Sequence, residues 1–148
     1  MKNAIHIYQR SEGHVVLFYT RSDLLSFYTI LSICAARTGV KVLAVAVMYD
    51  HIHILVDEAA SRKEVKSFVQ MYSSLYAHEF NKDSCLSGRV FESPFGCAVK
   101  HGDKEIRTCA GYIYNNHTNK RLCNKAEETR WNYLAYAHSP NPFSPPKA

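Results

Sequence analysis

The chain has 148 residues, of which 47% are hydrophobic and 21% are charged, a composition that excludes a wholly disordered chain and predicts one domain with a buried core. Lys and Arg number 18 against 13 Asp and Glu, so the formal net charge of +5 favours a polyanionic partner without demonstrating one. No apolar run reaches the length that spans a bilayer, so no membrane partner is expected.

Short apolar runs alternate with helical patterns along the chain. Strands are predicted at 4–9, 14–19, 42–47, 51–57 and 97–99, and helices are predicted to begin near Ser22, Ser61 and Asp103. The first helix ends at Gly39, the second is followed by a polar loop over 81–88, and the third extends to about Asn116.

The order of these elements predicts an α+β fold. We expect a ferredoxin-like sandwich whose antiparallel-rich sheet carries two helices on one face and the third helix on the other. Residues 1–138 are expected to form one domain, and the Pro-rich residues 139–148 a flexible tail.

The five cysteines include no C-x-x-C pair, and the first ten residues lack the apolar block of a signal peptide. We therefore expect reduced cysteines in a cytoplasmic protein.

Two histidines, His51 and His53, alternate with apolar residues in the strand predicted at 51–57. Because side chains alternate along a strand, both imidazoles project from one face of the sheet, whereas Ile52 and Ile54 project from the other, towards the two amphipathic helices. Two imidazoles at adjacent positions on one face can converge on a cation. Taken alone, the pair is equally consistent with solvent exposure or with hydrogen bonding in a core.

The predicted third helix carries Tyr112 and Asn116, which are four residues apart and share one face. Both flank the apolar stripe of this helix, so packing by that stripe holds them at its boundary. Tyr114 is a rival nucleophile, but it points away from Tyr112, and Thr118 instead of Asn lies four residues after it. The stripe consists of Ile106, Cys109, Ala110 and Ile113.

Together the two features predict a specific chemistry. Two imidazoles leave open positions on a cation, and the amide oxygen of Asn116 offers a third ligand one turn away from Tyr112. A tyrosine hydroxyl is mostly protonated at neutral pH and is a poor nucleophile unaided, whereas a cation polarises a phosphate and stabilises the departing oxygen. The outcome would be a covalent phosphotyrosine formed during phosphodiester transfer.

Three separated segments, 47–56, 112–116 and 130–133, carry motifs that occur together in one family. The first looks like a strand with His-hydrophobic-His after a Met-Pro-Asn turn, the second like a catalytic-helix motif in which Asn follows Tyr by four residues, and the third like Trp-Ser-Ser-Tyr. In order and spacing they resemble the HUH single-tyrosine transposases, and especially the REP-associated tyrosine transposases of bacteria. The resemblance extends from about Val15 to Tyr136.

The resemblance implies a DNA strand transferase. Tyr112 would be the nucleophile that attacks single-stranded or hairpin DNA, giving a 5′-phosphotyrosine and a free 3′-hydroxyl that reseals the strand on reversal. His51, His53 and Asn116 would bind Mg²⁺ or Mn²⁺, although two imidazoles by themselves favour softer metals. The resemblance leaves open whether the chain acts as a monomer or as a homodimer in which the catalytic helix serves the partner.

The chain departs from the family's pattern at three places. Tyr49-Asp50 replaces the Pro-containing turn, 116–119 reads Asn-His-Thr-Asn instead of Asn-Pro-Val-Arg, and Pro94-Phe95 replaces a basic–aromatic pair. None of these changes removes a catalytic group, but they leave the hairpin specificity open. The altered residues after Asn116 motivate one alternative to the transferase, a non-catalytic DNA- or RNA-binding protein derived from the family. A second alternative, a metal-dependent hydrolase, rests on the His pair alone.

Binding of DNA requires cationic contacts to its phosphates. A single Lys or Arg is more often a solvated surface charge, but a set of them brackets the proposed site, and Tyr and Phe nearby can stack on unpaired bases. The candidates are Arg62, Lys66, Arg89, Lys100, Lys104, Arg107, Lys120 and Arg121.

Overall fold

A computed structural model of the chain describes residues 3–57, 61–84 and 88–115, with the backbone alone at residues 83 and 84. The alternation of strands and helices confirms the predicted α+β fold. In chain order the elements are β1 (Asn3–Arg10), α1 (Arg21–Thr38), β2 (Val42–Val47), β3 (His51–Asp57), α2 (Arg62–Ser84), β4 (Gly96–His101) and α3 (Gly102–Tyr114).

The four strands form one antiparallel sheet in the order β2-β3-β1-β4. β1 and β3 are central, and their pairing runs from Ala4 opposite Asp57 to Arg10 opposite His51. With α1 between β1 and β2, and α2 between β3 and β4, this topology is the ferredoxin-like arrangement that the sequence predicts. Within the described residues, no helix combines the length and the apolar character needed to cross a bilayer.

Alternate residues of the sheet face two different helical layers. Ile7 and Ile54 lie in the main core, which α1 and α2 cover with buried side chains such as Phe27 and Phe68. The opposite face carries a smaller apolar cluster, in which α3 packs on alanines of β1 and β2. This cluster contains Ala4, Ala44, Ala46, Leu55, Cys109 and Ile113, with Ile106 and Ala110 at its margin. The predicted stripe of α3 and the predicted inward face of β3 are therefore confirmed.

The helix ends follow from local hydrogen bonding. α1 begins with a capping box at Thr20, because the Thr20 hydroxyl accepts from Asp23 N at 3.1 Å and the Asp23 carboxylate accepts from Thr20 N at 2.9 Å. The start therefore lies slightly before the predicted Ser22. α2 begins with the capping box predicted at Ser61, whose hydroxyl accepts from Glu64 N at 3.2 Å. Gly39 ends α1 with a φ of 75°, a conformation that glycine adopts readily.

The predicted strand at 14–19 is wrong. A short 3-10 turn at Glu12–His14 redirects the chain, and the following residues have no regular structure. Leu17 N and Phe18 N both donate to Tyr49 O, at 2.8 and 3.3 Å. Leu17 and Phe18 are consecutive, yet both are buried in the main core. A strand would send two consecutive side chains to opposite faces, so this segment cannot be one.

The predicted polar loop over 81–88 begins too early, because α2 continues to Ser84. Phe80 still packs against the main core, so the apolar face of the helix continues up to the predicted loop. Several predicted features lie outside the described residues. They are the tail at 139–148, the segment at 130–133, Asn116, Lys120 and Arg121.

Candidate active site

The two predicted metal ligands lie on the face of the sheet that α3 covers. His51 and His53 project from β3 opposite to Ile52 and Ile54, and their ring centroids are 5.3 Å apart with nearly perpendicular planes. His53 is buried, with 4% of its surface exposed, whereas the side chain of His51 is 16% exposed. The strand pattern therefore brings both imidazoles together, at the end of β3 where the chain enters from the tight turn.

Tyr112 stands directly beside this pair in the same chain. Its ring meets the ring of His53 edge to face, with centroids 5.5 Å apart and an interplanar angle of 89°. The neighbouring Ile113 is fully buried against the sheet, whereas Tyr112 is 49% exposed. α3 thus holds the Tyr112 side chain at the boundary of its packed face, half in contact with His53 and half open to solvent.

The rival nucleophile has a structural role. Tyr114 is half-buried, and its hydroxyl donates to Leu43 O at 3.0 Å. This hydrogen bond ties the C-terminal end of α3 to the start of β2. Tyr112 and not Tyr114 therefore faces the histidines.

An open cavity of about 440 Å³ surrounds these groups. Its lining combines histidines, two tyrosines beside Tyr112, one carboxylate and one guanidinium. The lining residues are Tyr8, Arg10, His14, Met48, Tyr49, Asp50, His51, His53 and Tyr112.

In each imidazole, Nδ1 lies within hydrogen-bond distance of a neighbouring side chain. His51 Nδ1 lies 2.8 Å from Asp50 Oδ1, and this hydrogen bond holds the pKa of Asp50 below its usual value. His53 Nδ1 lies 3.0 Å from His6 Nε2, and the two rings stack with centroids 5.2 Å apart. Burial, with the nearby charge of Lys100, lowers the pKa of His6. The neutral form of His6 is therefore favoured.

Arg10 is the cationic group of the cavity wall. It lies opposite His51 in the pairing of β1 with β3, and Tyr8 lies opposite His53. Arg10 Nε and Nη2 donate to the Tyr8 hydroxyl at 3.1 and 2.8 Å. These two bonds hold the guanidinium over the site.

The sequence pattern did not indicate Tyr8, Arg10 and His14, which line this cavity, or His6, which contacts His53. His6, Tyr8 and Arg10 alternate along β1 and so share one face, but this becomes informative only when β1 is known to pair with β3. The excess of His and Tyr in the composition was the available signal. His14, with a φ of 59°, comes from the segment that was predicted to be a strand.

The donor set suits a divalent cation with open positions. Two imidazoles that are each hydrogen-bonded through Nδ1 can bind a metal through Nε2. Within the residues that the structure describes, no group of three or more His, Cys, Asp or Glu converges on one point. A third ligand would come from Asn116, the residue that follows the last one described.

The predicted phosphate-binding residues divide between the two faces of the sheet. Lys104 and Arg107 are exposed on α3, and Lys100 of β4 pairs with Ala4, whose side chain contacts α3. Arg62 and Lys66 lie on α2, behind the sheet. Lys66 and Arg89 line a second cavity of about 610 Å³ between α2 and the segment that precedes β4. Arg89 Nε also lies 3.9 Å from Glu12 Oε2.

Comparison with known proteins gives a family and two similar folds. Residues 4–116 match a family described as "Transposase IS200 like", whereas no curated protein matches the chain. A REP-associated tyrosine transposase bound to a REP hairpin has a similar structure, with a TM-score of 0.66 and 12% identity over 99% of this chain and 86% of that one. A proposed transposase from Deinococcus radiodurans R1 has a TM-score of 0.52 and 16% identity, over 78% and 91%. At these identities the likeness concerns the fold.

Proposed function

Because this chain belongs to the IS200-like transposase family, we propose that it cleaves and rejoins single-stranded or hairpin DNA through a 5′-phosphotyrosine at Tyr112. The observation that carries the proposal is the contact between Tyr112 and His53 in one chain. A nucleophile, two imidazoles and a guanidinium share one cavity, and α3 has no other tyrosine facing it among its described residues.

The proposed reaction is an in-line displacement at phosphorus. Tyr112 Oη attacks the scissile phosphate, the bond to the 3′ oxygen breaks, and the downstream strand stays attached to Tyr112 through its 5′ phosphate. The phenol proton leaves to solvent, to which Tyr112 is half open, and the departing 3′ oxygen takes up a proton. Attack by a 3′-hydroxyl on the phosphotyrosine reverses these bond changes and rejoins a strand.

His51 and His53, with Asn116, are the residues that would hold the cation. The chemistry supplied by bound Mg²⁺ or Mn²⁺ is polarisation of the scissile phosphate and stabilisation of the departing oxygen. His53 has a second task in this proposal, because its ring edge also orients the Tyr112 ring.

Arg10 is proposed to bind the scissile phosphate from the β1 side of the cavity. A guanidinium stays charged at any physiological pH and offers several donors in one plane. The Tyr8 hydroxyl accepts two of these donors and orients the group. Charge that develops on the phosphate in the transition state would then be stabilised by a cation that is already in place.

The cations outside the cavity are proposed to hold the rest of the DNA. Lys100, Lys104 and Arg107 lie on the same side of the sheet as Tyr112, which supports the proposal that they bind the single strand near the site. Arg62, Lys66 and Arg89 lie behind the sheet and would be reached by a more distant part of a hairpin. The similar transposase that is bound to a REP hairpin supports a hairpin as the ligand.

The test is formation of a covalent adduct. The protein is incubated with Mn²⁺ and an imperfect hairpin from the DNA that flanks its gene, labelled at the 3′ end, and the products are separated under denaturing conditions. We expect labelled protein from the unchanged chain and from Tyr114→Phe, and none from Tyr112→Phe. Tight, salt-sensitive binding without any adduct would instead favour a non-catalytic DNA-binding protein. Turnover of small phosphoesters without an adduct would favour a hydrolase.

A further inference from the structure

Each of the two histidines proposed as metal ligands has its Nδ1 atom hydrogen-bonded to a second side chain. His51 Nδ1 contacts Asp50 Oδ1 at 2.8 Å, and His53 Nδ1 contacts His6 Nε2 at 3.0 Å. We propose that Asp50 and His6 are positioning residues, which hold His51 and His53 as the tautomers that carry hydrogen on Nδ1 and present Nε2 to a divalent cation. This proposal rests on the proposed function, since it concerns the metal site of the same reaction.

The tautomer of His51 follows from the chemistry of its partner. A carboxylate can only accept hydrogen bonds, so the bond to Asp50 requires a hydrogen on His51 Nδ1. In the neutral ring the lone pair is then on Nε2, the nitrogen available to a metal. The turn holds this arrangement in place, because Asp50 O accepts from Ser11 N and His51 O accepts from Met48 N, both at 2.8 Å. Asp50 therefore stays beside His51 although its side chain is 38% exposed.

The tautomer of His53 is set by a choice between two arrangements. Either His53 Nδ1 donates to His6 Nε2, or His6 Nε2 donates to His53 Nδ1. The second arrangement places the hydrogen of a neutral His53 on Nε2 and prevents that nitrogen from binding a metal. Only the first is compatible with a ligand, so we assign the hydrogen to His53 Nδ1. In this arrangement His6 accepts through Nε2 and carries its own hydrogen on Nδ1.

The surroundings of His6 hold its ring beside His53. The His6 and His53 rings stack at an interplanar angle of 27°, and His53 is 4% exposed, so water cannot readily take the place of His6. The sheet fixes the distance between the two rings, because His6 on β1 lies opposite Leu55, two residues along β3 from His53.

Hydrogen-bond partners of this kind usually change metal affinity by about 10–100-fold, because they orient the ring and make the ligand more basic. Asp50 and His6 allow matched substitutions. Asp50→Asn and His6→Gln each keep an oxygen that accepts from Nδ1–H, whereas Asp50→Ala and His6→Phe remove the acceptor. A role in folding alone would not distinguish the members of each pair.

The first measurement reads the tautomers in the metal-free protein. Long-range ¹H–¹⁵N correlation spectra are recorded above the pH range in which histidine side chains usually titrate. We expect hydrogen on Nδ1 for His51, His53 and His6. We expect Asp50→Ala to shift His51, and His6→Phe to shift His53, towards the tautomer with hydrogen on Nε2, while Asp50→Asn and His6→Gln keep Nδ1–H. Hydrogen on Nε2 of His53 in the unchanged protein would overturn the assignment.

The second measurement is binding of Mn²⁺ alone, followed by the electron paramagnetic resonance signal of the free ion. We expect Asp50→Ala and His6→Phe to weaken binding by about 10–100-fold. Asp50→Asn and His6→Gln should stay closer to the unchanged protein. Equal affinities within each pair would contradict the positioning role. Thermal unfolding of each variant checks that it is folded. If His6→Phe does not fold, the Mn²⁺ affinity of His6→Gln is compared with that of the unchanged protein instead.

The outcome can be separated from that of the proposed function. Expected tautomers and Mn²⁺ affinities together with no covalent adduct would support the positioning role and refute the strand-transfer proposal. A covalent adduct at Tyr112 together with hydrogen on Nε2 of His53 would support the strand-transfer proposal and refute the positioning role.

Discussion

At the scale of single residues, Arg10 shows how strand alternation assembles the site. His6, Tyr8 and Arg10 occupy alternate positions of β1, and the register places Tyr8 opposite His53 and Arg10 opposite His51. The guanidinium donates twice to the Tyr8 hydroxyl. A charged group is therefore held beside two imidazoles, in a cavity that also contains Tyr112.

Replacing Arg10 by Gln should slow adduct formation without preventing DNA binding. If the guanidinium stabilises charge on the phosphate, its loss should lower the single-turnover rate by about 100-fold. The rate is measured with saturating labelled hairpin and Mn²⁺. Arg37→Gln is the control, because Arg37 is exposed in the last turn of α1, in the helical layer behind the sheet. Equal rates for the two variants would exclude Arg10 from the reaction.

Gln9 lies between Tyr8 and Arg10 but faces the other side of the sheet. Tyr72 OH donates to Gln9 Oε1 at 2.8 Å, and Gln9 Nε2 donates to Ser73 Oγ at 3.1 Å. Gln9→Leu should lower the free energy of unfolding by about 1–3 kcal/mol, because it leaves the buried Tyr72 hydroxyl without its acceptor. Urea unfolding measures this loss. Adduct formation at a temperature where the variant is folded should not change, and a loss like that of Arg10→Gln would contradict the division of β1 into two faces.

At the scale of elements, the contact between α3 and the sheet sets the position of the nucleophile. α3 rests on Ala4, Ala44 and Ala46, all of which are fully buried, so the helix approaches the sheet closely. Cys109 and Ile113 face these alanines, and Tyr112 reaches His53 from the margin of the contact. The small side chains of β2 are therefore part of the geometry of the site, although they do no chemistry.

Ala46→Val should show that this packing both stabilises the fold and positions Tyr112. Two extra methyl groups between β2 and α3 should lower the free energy of unfolding by about 1–3 kcal/mol and displace Tyr112, which reduces the rate of adduct formation. Val45→Ala is the control, because Val45 points into the main core and its truncation destabilises the fold without touching α3. Chemical unfolding and single-turnover kinetics are measured for both. Equal rates at matched stability would show that the α3 contact does not position Tyr112.

The sequence predicted those parts of the structure that depend on local periodicity. His51 and His53 alternate with apolar residues, and Cys109 and Ile113 recur at helical spacing. These periods predict which face of β3 carries the histidines and which face of α3 packs on the sheet. The prediction of a strand at 14–19 failed because a short apolar run can also arise where consecutive residues, Leu17 and Phe18, fill the end of a core. His6 and Arg10 were missed because the pairing of β1 with β3 joins residues about 40 or more positions apart, which no local pattern encodes.

At the scale of the whole molecule, a single chain brings Tyr112 to its own His53. A related arrangement in which the catalytic helix of one subunit serves its partner would instead separate these residues within each chain. The structure therefore favours a site in which Tyr112 acts with the histidines of its own chain, and we expect that no second subunit has to supply the nucleophile.

Mixing two inactive variants tests this arrangement. Tyr112→Phe lacks the nucleophile and His51→Ala lacks a proposed ligand, so each should form no adduct. If each site is built from one chain, the mixture should also be inactive, whether or not the chains associate. The adduct is measured after the two proteins have been refolded together, with each protein alone as the control. Recovery of activity would show that the site is shared between subunits.

The most direct test of the central claim is to locate the covalent bond itself. The adduct formed with hairpin DNA and Mn²⁺ is digested with nuclease and protease, and the modified peptide is sequenced by tandem mass spectrometry. We predict a nucleotide attached through its 5′ phosphate to Tyr112. Attachment at Tyr114 or at any other residue, or cleaved DNA with no modified peptide, would contradict the assignment of Tyr112 as the nucleophile.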